Sequence, residues 1–282
     1  MRVAVIGKKG QLARALQDEV QTASYHFIGS KELDITDAKA VDSYFTQHSF
    51  DVIINCAAYT NVDGAEDNQA AAKALNHTAI THLLEVCKIH QMLLIHISTD
   101  YVFDGKATAP YEEEATCNPI SVYGKTKRGG ELEILQSNID ALIVRTTWLY
   151  SAYGHNFVKT MLKLAASTAH LKVVSDQIGR PTYANDLAEA LITLVNRTQE
   201  WPKGASIYHF SNSGQCSWAD FARAIFKGQK LEVEVKNCDS TAFPTKAQRP
   251  QFSVLDLSKI QNHFQLVPRP WQEALADCLK QL

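Results

Sequence analysis

The chain alternates short apolar runs with longer segments in which apolar residues recur every three or four positions. The short runs are rich in valine and isoleucine and cover residues 2–6, 25–29, 51–56, 92–97 and 139–145. Runs of this length without polar alternation are typical of strands buried on both faces of a parallel sheet. Strands that alternate with helices predict a doubly wound parallel α/β sheet.

The longer segments have the spacing of amphipathic helices. In the first half these helices cover residues 12–20, 37–47, 68–89 and 123–135, and Thr36 is the expected N-cap of the second. The second half predicts helices over 156–167 and 183–197 and strands over 171–175 and 205–210. Ser217 and Asp220 have capping-box spacing before a further helix that ends near Lys227.

A glycine turn follows the first apolar run and precedes the first helix. Gly7 permits a tight turn, Gly10 lets the backbone approach a pyrophosphate, and Ala13 is small enough where helix meets strand. The backbone N–H groups of Gln11 and Leu12, at the helix N-terminus, would face the phosphates. Because strand, turn and helix come in this order at the start of the sheet, the pattern predicts dinucleotide binding.

The glycine turn near the start and the shorter elements near the end suggest that the chain folds into two structural parts. We assign residues 1–150 to an NAD(P)-binding Rossmann-type domain and residues 151–282 mainly to a smaller lobe. Elements near residues 171–212 are expected to join the first domain. Four prolines near the end of the chain break it into short pieces, as expected of a small lobe: Pro244, Pro250, Pro268 and Pro270.

Composition and net charge limit the kinds of partner and the cellular setting that we expect for this protein. A net charge of −2 across 282 residues gives no basic face for nucleic acid. The N-terminus enters a strand-like run without a signal-peptide pattern, and no apolar run is long enough to span a bilayer. The cysteines are scattered without a Cys-x-x-Cys pair, so we expect a reduced, cytoplasmic protein.

The second apolar run bears on the choice of cofactor. It ends in Ser30 and Lys31, where a dinucleotide fold often carries an acid that binds the ribose 2′-hydroxyl of NAD. Lys31 could instead meet the 2′-phosphate of NADP, although a solvated surface lysine is an equally good interpretation. Asp34 and Ile35 follow in the loop and are expected beside the adenine. NADPH is therefore favoured, and NADH remains the alternative.

Two further segments leave their strands at the edge where open α/β sheets bind ligands. After the third strand come Ala57, Ala58, Tyr59 and Thr60, whose small members let a cofactor lie close to the backbone. Residues 98–100, Ser-Thr-Asp, leave the fourth strand at the same edge. Both segments should therefore line one crevice with the glycine turn.

Tyr123 and Lys127 open the helix that follows. Residues four apart share a helix face. An ammonium a few ångströms from a phenol can lower its pKa by roughly 1–3 units, which would suit Tyr123 to donate a proton near neutral pH. A surface helix carrying this pair by chance is the alternative if the pair is taken alone.

Several motifs together resemble a known family. They are Gly7-x-x-Gly10, residues 55–60, 98–103, 145–150, Tyr123-x-x-x-Lys127, and the downstream segments 156–161, 175–182 and 248–250. Over nearly the whole chain they resemble the extended short-chain dehydrogenase/reductases, and more narrowly the dTDP-4-dehydrorhamnose reductases.

The resemblance implies reduction of the 4-keto group of a nucleoside-diphosphate deoxy sugar by NADPH or NADH. Tyr123 would donate the proton, Lys127 would bind the nicotinamide ribose, and Thr99 would donate a hydrogen bond to the developing alkoxide. The smaller C-terminal lobe would bind the nucleotide sugar, and two arginines would hold its pyrophosphate. The implied substrate contacts are Thr99, Asp100, Val102, Trp148, Asn156, Arg180 and Arg249.

Two alternatives remain open. One is a non-catalytic NADP-binding regulatory subunit like that of methionine adenosyltransferase, which is similar to these reductases. The other is a reductase or epimerase for a different nucleotide 4-keto sugar. No catalytic metal is expected, because the histidines lack ligand spacing. A homodimer is an open alternative, but Ala15 stands where a glutamate of a magnesium-linked dimer would be expected.

Overall fold

The fold is built on a parallel sheet, seen in a computed structural model that describes residues 1–20 and 23–282. The strands of these residues are β1 Val3–Ile6, β2 Tyr25–Ile28, β3 Val52–Asn55, β4 Leu93–Thr99, β5 Ala141–Thr146, β6 Leu149–Tyr150, β7 His170–Val174, β8 Ile178–Gly179, β9 Thr182–Tyr183, β10 Ala205–His209, β11 Cys216–Ser217 and β12 Glu234–Cys238. The α-helices are α1 Gln11–Glu19, α2 Ala38–Gln47, α3 Val62–Asp67, α4 Gln69–Lys73, α5 Ala79–His90, α6 Val122–Gln136, α7 Phe157–Ala165, α8 Ala184–Asn196, α9 Trp218–Gly228, α10 Ser258–Phe264 and α11 Trp271–Lys280.

The main sheet has the order β2-β1-β3-β4-β5-β10, and all of its neighbouring strands are parallel. The chain runs outward from β1 to β2 and then crosses back to β3 on the other side of β1. The order therefore reverses between β1 and β3, and ligands bind at the carboxyl ends of the strands at such a reversal. The predicted doubly wound, Rossmann-type sheet is confirmed.

Apolar side chains cover both faces of this sheet, which explains why its strands read as continuous apolar runs. One layer contains Leu16 of α1 and Leu187 and Leu191 of α8. The opposite layer contains Val41 of α2 and Leu83 of α5. Each such side chain is fully buried, which stabilises the fold by about 1.5–3 kcal/mol.

A smaller cluster gathers much of the C-terminal part of the chain. Met161 of α7, Phe221 of α9 and Leu275 of α11 pack together there, and β7 pairs in parallel with β12. The capping box predicted at Ser217 and Asp220 is confirmed at the start of α9. Of the elements expected to join the first domain, α8 and β10 lie on or in the main sheet, whereas β7 does not. A boundary at residue 150 stays a prediction.

The predicted N-cap of α2 was wrong by one residue. Asp37 caps the helix, because its carboxylate accepts hydrogen bonds from the backbone N–H groups of Lys39 at 2.9 Å and Ala40 at 3.2 Å. The Thr36 hydroxyl donates instead to Asp34 at 2.7 Å. An aspartate at the cap is as favourable as a threonine, so the sequence alone did not separate the two.

The helix predicted over residues 68–89 is also interrupted. Between α4 and α5 lies a π-helical turn, Ala74–Thr78. Its Asn76 is buried and holds the loop after β3 by hydrogen bonds to the backbone of Tyr59. The Tyr59 N–H donates to Asn76 Oδ1 at 2.7 Å, and Asn76 Nδ2 donates to Tyr59 O at 3.2 Å. The same amide donates to Thr126 of α6 at 3.1 Å. The turn thus joins the β3 loop to α6.

A buried ion pair fixes α6 on the sheet. The Arg145 guanidinium on β5 donates to both carboxylate oxygens of Glu131 on α6, each at 2.8 Å, and neither side chain is exposed. Ser98 of β4 donates to Glu131 Oε1 at 2.6 Å, and Arg128 donates to Oε2 at 2.7 Å. Burial opposes the charged carboxylate, but these bonds hold the pKa of Glu131 below its usual value.

Removing one partner of the Glu131–Arg145 pair should lower the free energy of unfolding by more than the intact pair adds to it. In Glu131→Gln the Arg145 charge remains buried without its counter-charge, so the free energy of unfolding should fall by about 3–5 kcal/mol in urea titrations. The control is Lys203→Met, which breaks an exposed pair with Asp140 at 3.0 Å and should cost less than about 1 kcal/mol. Equal losses in the two variants would contradict a structural role for the buried pair.

Candidate active site

A cavity of about 730 Å³ lies at the carboxyl ends of β1 to β5; we call it the sheet-edge cavity. Its volume is in the range of small-molecule and cofactor sites. Most of the residues predicted for cofactor and substrate contacts line it. They are Gly7, Gly10, Gln11, Leu12, Ser30, Asp34, Ile35, Ala57, Ala58, Thr60, Thr99, Asp100, Tyr123, Lys127 and Trp148.

The glycine turn forms one wall of the sheet-edge cavity. Gly7 has a φ of 96°, which an L side chain rarely adopts, and a Cβ there would lie 2.9 Å from the backbone nitrogen of Ala57. Gly10 caps α1 and has no side chain that could accept a hydrogen bond from the first turn of that helix. The free N–H groups of α1 and the nearby Lys8 and Lys9 fit a diphosphate at this wall.

Of the residues predicted after β2, Ser30, Asp34 and Ile35 line the cavity, whereas Lys31 is exposed and does not. A contact of Lys31 with a 2′-phosphate stays a prediction. Lys8, which lines the cavity, forms an ion pair of 3.2 Å with Glu32.

The loop after β3 contributes three of its four predicted residues. Ala57, Ala58 and Thr60 line the sheet-edge cavity, whereas Tyr59 does not. The backbone of Tyr59 is held by Asn76, so this residue fixes the loop. A helical asparagine gives no such signal in the sequence, because its partner lies 17 residues away.

Tyr123 and Thr99 both line the cavity. The Thr99 hydroxyl donates its proton to Asp100 at 2.9 Å, and Thr99 is among the groups that lower the pKa of the Tyr123 phenol. The Tyr123 ring packs edge-on against Tyr101, with ring centroids 5.4 Å apart. A phenol and a hydroxyl held together at the cavity wall can both hydrogen-bond one oxygen of a ligand.

The predicted effect of Lys127 on the Tyr123 phenol is not seen. Burial raises the pKa of Tyr123 well above its usual value, and Lys127 is not among the groups that lower it. The Lys127 amine donates instead to Ile97 O at 2.7 Å and lies 3.1 Å from Nε2 of His96. Burial lowers the pKa of Lys127 to about 8. Four-residue spacing put both groups on one face but did not determine which partner the amine contacts.

Asp100 is another buried ionisable group of the site. Its carboxylate accepts hydrogen bonds from the hydroxyls of Thr99 at 2.9 Å and Thr147 at 3.0 Å. Burial nevertheless raises the pKa of Asp100 to about 6, since neutral hydroxyls do not replace the hydration of a charge.

A second cavity of about 890 Å³, the lobe cavity, lies between α7, β7 and residues 243–251. His155 lines both cavities, so they adjoin. Of the predicted substrate contacts, Asn156 and Arg249 line the lobe cavity. Arg249 donates to the hydroxyl of Tyr101 at 3.2 Å and pairs with Asp63 at 2.8 Å.

The Asn156 side chain is largely committed to the protein. It caps α7, and its amide donates to Gln11 Oε1 and to Ser151 O, both at 2.8 Å. Two other predicted contacts lie outside both cavities. Val102 is fully buried in an apolar cluster, and Arg180 donates to Leu255 O at 2.7 Å. Neither residue lines either cavity, and their substrate contacts stay predictions.

Two stacked tryptophans separate the cavities. Trp148 lines the sheet-edge cavity and Trp218 the lobe cavity, and their rings stack with centroids 3.4 Å apart. Trp148 has a φ of 46°, which is uncommon for a bulky residue, and its ring packs against Gly179. Trp148 thus lines the cavity where it was predicted to lie. Its stacking partner Trp218 was not among the predicted site residues.

Comparison with known proteins identifies the family. The family model described as RmlD substrate binding domain matches residues 1–282. The chain belongs to this family. The dTDP-4-dehydrorhamnose reductase of Aggregatibacter actinomycetemcomitans is 42% identical to it, over 97% of each chain. The spore coat polysaccharide biosynthesis protein SpsK of Bacillus subtilis is 41% identical, over 99% of this chain and 97% of that protein.

A solved structure supports the same relationship. The dTDP-4-dehydrorhamnose reductase of Bacillus anthracis, determined in complex with NADP, has a TM-score of 0.94 and 35% identity, covering 100% of this chain and 99% of that one. The resemblance to the dTDP-4-dehydrorhamnose reductases that the motifs indicated is thereby confirmed.

Two further expectations from the sequence concern a metal ion and a membrane span. Within residues 1–20 and 23–282, no group of three or more His, Cys, Asp or Glu side chains is arranged to hold a metal ion. None of the helices in the same residues combines the length and apolar character needed to cross a bilayer. The absence of a catalytic metal and the homodimer remain predictions.

The raised pKa of Asp100 makes stability depend on pH in a definite direction. Between its usual pKa of 3.8 and about 6 the folded protein binds the proton and the unfolded chain does not, so stability falls as pH rises through this range. Two pKa units correspond to about 3 kcal/mol. Asp100→Asn removes this titration. In urea titrations, the free energy of unfolding of this variant relative to that of the wild type should therefore rise by up to about 3 kcal/mol between pH 4 and pH 7. A difference that does not change with pH would contradict this account.

Proposed function

We propose that this protein reduces the 4-keto group of a dTDP-4-dehydro-6-deoxy sugar, yielding dTDP-L-rhamnose from dTDP-4-dehydrorhamnose, with NADPH as the preferred cofactor. One observation carries the proposal: Thr99 and Tyr123 line the same cavity as a glycine turn suited to a diphosphate. The names of the relatives and the NADP complex of one of them support the choice of substrate and cofactor.

The cofactor would lie in the sheet-edge cavity. Gly7, Gly10 and the N-terminus of α1 would hold its diphosphate, and Ala57 and Ala58 leave room beside the backbone. When bound, the reduced nicotinamide supplies the hydride. We assign Lys127 to the nicotinamide ribose, because it is a buried amine that lines the same cavity.

Tyr123 would give its proton to the ketone oxygen, because it is a protonated phenol on the cavity wall. Thr99 would donate a second hydrogen bond to the same oxygen as it gains negative charge. Since the Thr99 proton now points to Asp100, this step requires the hydroxyl to rotate. Asp100 would accept the hydroxyl in the resting site and release it when the oxygen arrives.

The nucleotide sugar would extend from the sheet-edge cavity into the lobe cavity. The two cavities adjoin at His155, and the Trp148–Trp218 stack stands between them. Arg249, which lines the lobe cavity, would hold the substrate diphosphate. Its donors now engage Tyr101 and Asp63, so these bonds would have to be shared or exchanged on binding.

Turnover with purified protein tests the assignment. With enzyme at a concentration far below that of the cofactor, dTDP-4-dehydrorhamnose should cause oxidation of NADPH and, more slowly, of NADH. The loss of the reduced cofactor is measured by its absorbance. Net cofactor oxidation separates a reductase from an epimerase, which returns its cofactor unchanged. No oxidation with any nucleotide 4-keto sugar in a panel would refute the proposal and favour a non-catalytic subunit.

Two substitutions test the roles of the hydroxyls. Tyr123→Phe should lose most turnover while NADPH binding, measured by fluorescence, is retained. Thr99→Val should lower kcat by about 10²–10³, the usual loss for one donor to a developing oxyanion. Tyr44→Phe, on the partly exposed α2, is the matched control and should keep full turnover. Full activity of Tyr123→Phe would exclude it as the proton donor.

A further inference from the structure

A line of buried hydrogen bonds runs from the β3 loop to Lys127. Ala57 N–H donates to Asn55 Oδ1 at 3.1 Å, and Asn55 Nδ2 lies 3.2 Å from His96 Nδ1. On the other side of the ring, His96 Nε2 lies 3.1 Å from Lys127 Nζ, which also donates to Ile97 O at 2.7 Å. Asn55 and His96 are partners in the β3–β4 register, and both are fully buried.

The chemistry of the end groups fixes the direction of these bonds. A backbone N–H can only donate, so the atom of Asn55 that faces Ala57 is the oxygen and its NH₂ group faces His96. An amide NH₂ also only donates, so Nδ1 of His96 must be the unprotonated, accepting nitrogen. A neutral histidine then carries its proton on Nε2 and donates toward Lys127.

Lys127 must therefore accept that hydrogen bond. An ammonium has three donors and no lone pair, whereas a neutral amine can accept from His96 and still donate to Ile97. To be charged and bonded to His96, Lys127 would need the other histidine tautomer. That tautomer would aim Nδ1–H at the NH₂ group of Asn55, and turning the amide to accept it would take the acceptor from Ala57 N–H.

Burial favours an uncharged lysine, because it lowers the pKa of Lys127. The titratable groups that act on the amine are Glu131 on α6 and Cys56 after β3, and the Glu131 charge raises that pKa. The Glu131 carboxylate is already bonded by Ser98, Arg128 and Arg145 rather than by Lys127. Burial holds the Cys56 thiol neutral, because it raises the pKa of that group to about 12.

We propose that Asn55 and His96 are positioning residues for the reaction proposed above: they stabilise the neutral amine form of Lys127 in the ligand-free protein and couple its protonation to a change of the His96 tautomer. Tyr123 is then not acidified while Lys127 is neutral. Its proton becomes easier to donate only after Lys127 gains a charge, which an anionic ligand in the sheet-edge cavity would favour.

Nuclear magnetic resonance of the ligand-free protein tests the charge state directly. At a pH well above the Lys127 midpoint, long-range ¹H–¹⁵N correlation should show His96 as the Nε2–H tautomer, with its signals assigned by their loss in His96→Gln. The ¹³Cε signal of Lys127, assigned by its loss in Lys127→Met, should titrate with a midpoint at about 8 or lower. An Nδ1–H tautomer above that midpoint, or a lysine that stays charged through pH 9, would overturn the proposal.

Two variants should reverse the direction of the bonds. Asn55→Asp keeps an acceptor for Ala57 N–H but replaces the NH₂ donor, so His96 should change to the Nδ1–H tautomer and the Lys127 midpoint should rise. Because this variant also adds a charge, the tautomer is its decisive signal. His96→Gln adds no charge and offers an oxygen to an ammonium, so the Lys127 midpoint should rise by at least about one pH unit.

Asn76→Ala is the matched control, because Asn76 is also a buried amide bonded to α6 but contacts neither His96 nor Lys127. It should lower stability and leave the tautomer and midpoint unchanged. A midpoint shift as large as that of His96→Gln would show that the coupling is unspecific and would overturn the proposal.

Turnover provides a separate arm. If the reductase activity is present, the limb of the kcat/KM pH profile assigned to Lys127 should move to higher pH in His96→Gln by the same amount as the resonance midpoint. An unmoved limb would contradict the catalytic consequence of the coupling. If no substrate of the panel turns over, the resonance experiments still decide the charge state of Lys127, so failure of the proposed function is distinguished from failure of this inference.

Discussion

The bidentate pair between Glu131 and Arg145 is the interaction on which the site depends. It joins α6 to β5, and Ser98 ties the same carboxylate to β4. Tyr123, Lys127 and Glu131 follow one another at intervals of four residues, so they share one face of α6. The ion pair at the end of this face therefore determines how deep into the sheet-edge cavity the other two side chains reach.

Close packing lets this helix approach its neighbours. At the N-terminal end of α6, a Cβ on Gly124 would clash with the backbone oxygen of Tyr101, so only glycine lets the helix lie this near the turn that follows β4. Asn76 of the π turn secures the other side through Thr126. The end of β4 that carries Thr99, the loop that carries Tyr59 and the start of α6 that carries Tyr123 are thus held close to one another, which keeps the hydroxyls of the site together.

Burial sets the protonation states of the site, and its effect differs with the partners available. Glu131 and Arg145 both remain charged because each faces the opposite charge. Asp100 faces only hydroxyls, so the same burial raises its pKa, and Lys127 faces a ring nitrogen and a carbonyl, so its pKa falls. Tyr123 has no charged partner that would stabilise a phenolate, so it stays a protonated acid.

The sequence by itself determined the doubly wound sheet, the glycine turn, the Tyr123 and Lys127 spacing and the family, because these depend on periodicity and on residues close in the chain. It did not determine that Asp37 rather than Thr36 caps α2, that a π turn breaks the long helix, or that Arg180 and Lys31 lie outside the cavities. Only the tertiary structure decided that His96 faces Lys127 on one side and Asn55 on the other. Those contacts join residues 31 and 41 positions apart, and their geometry follows from strand register and helix docking rather than from any local pattern.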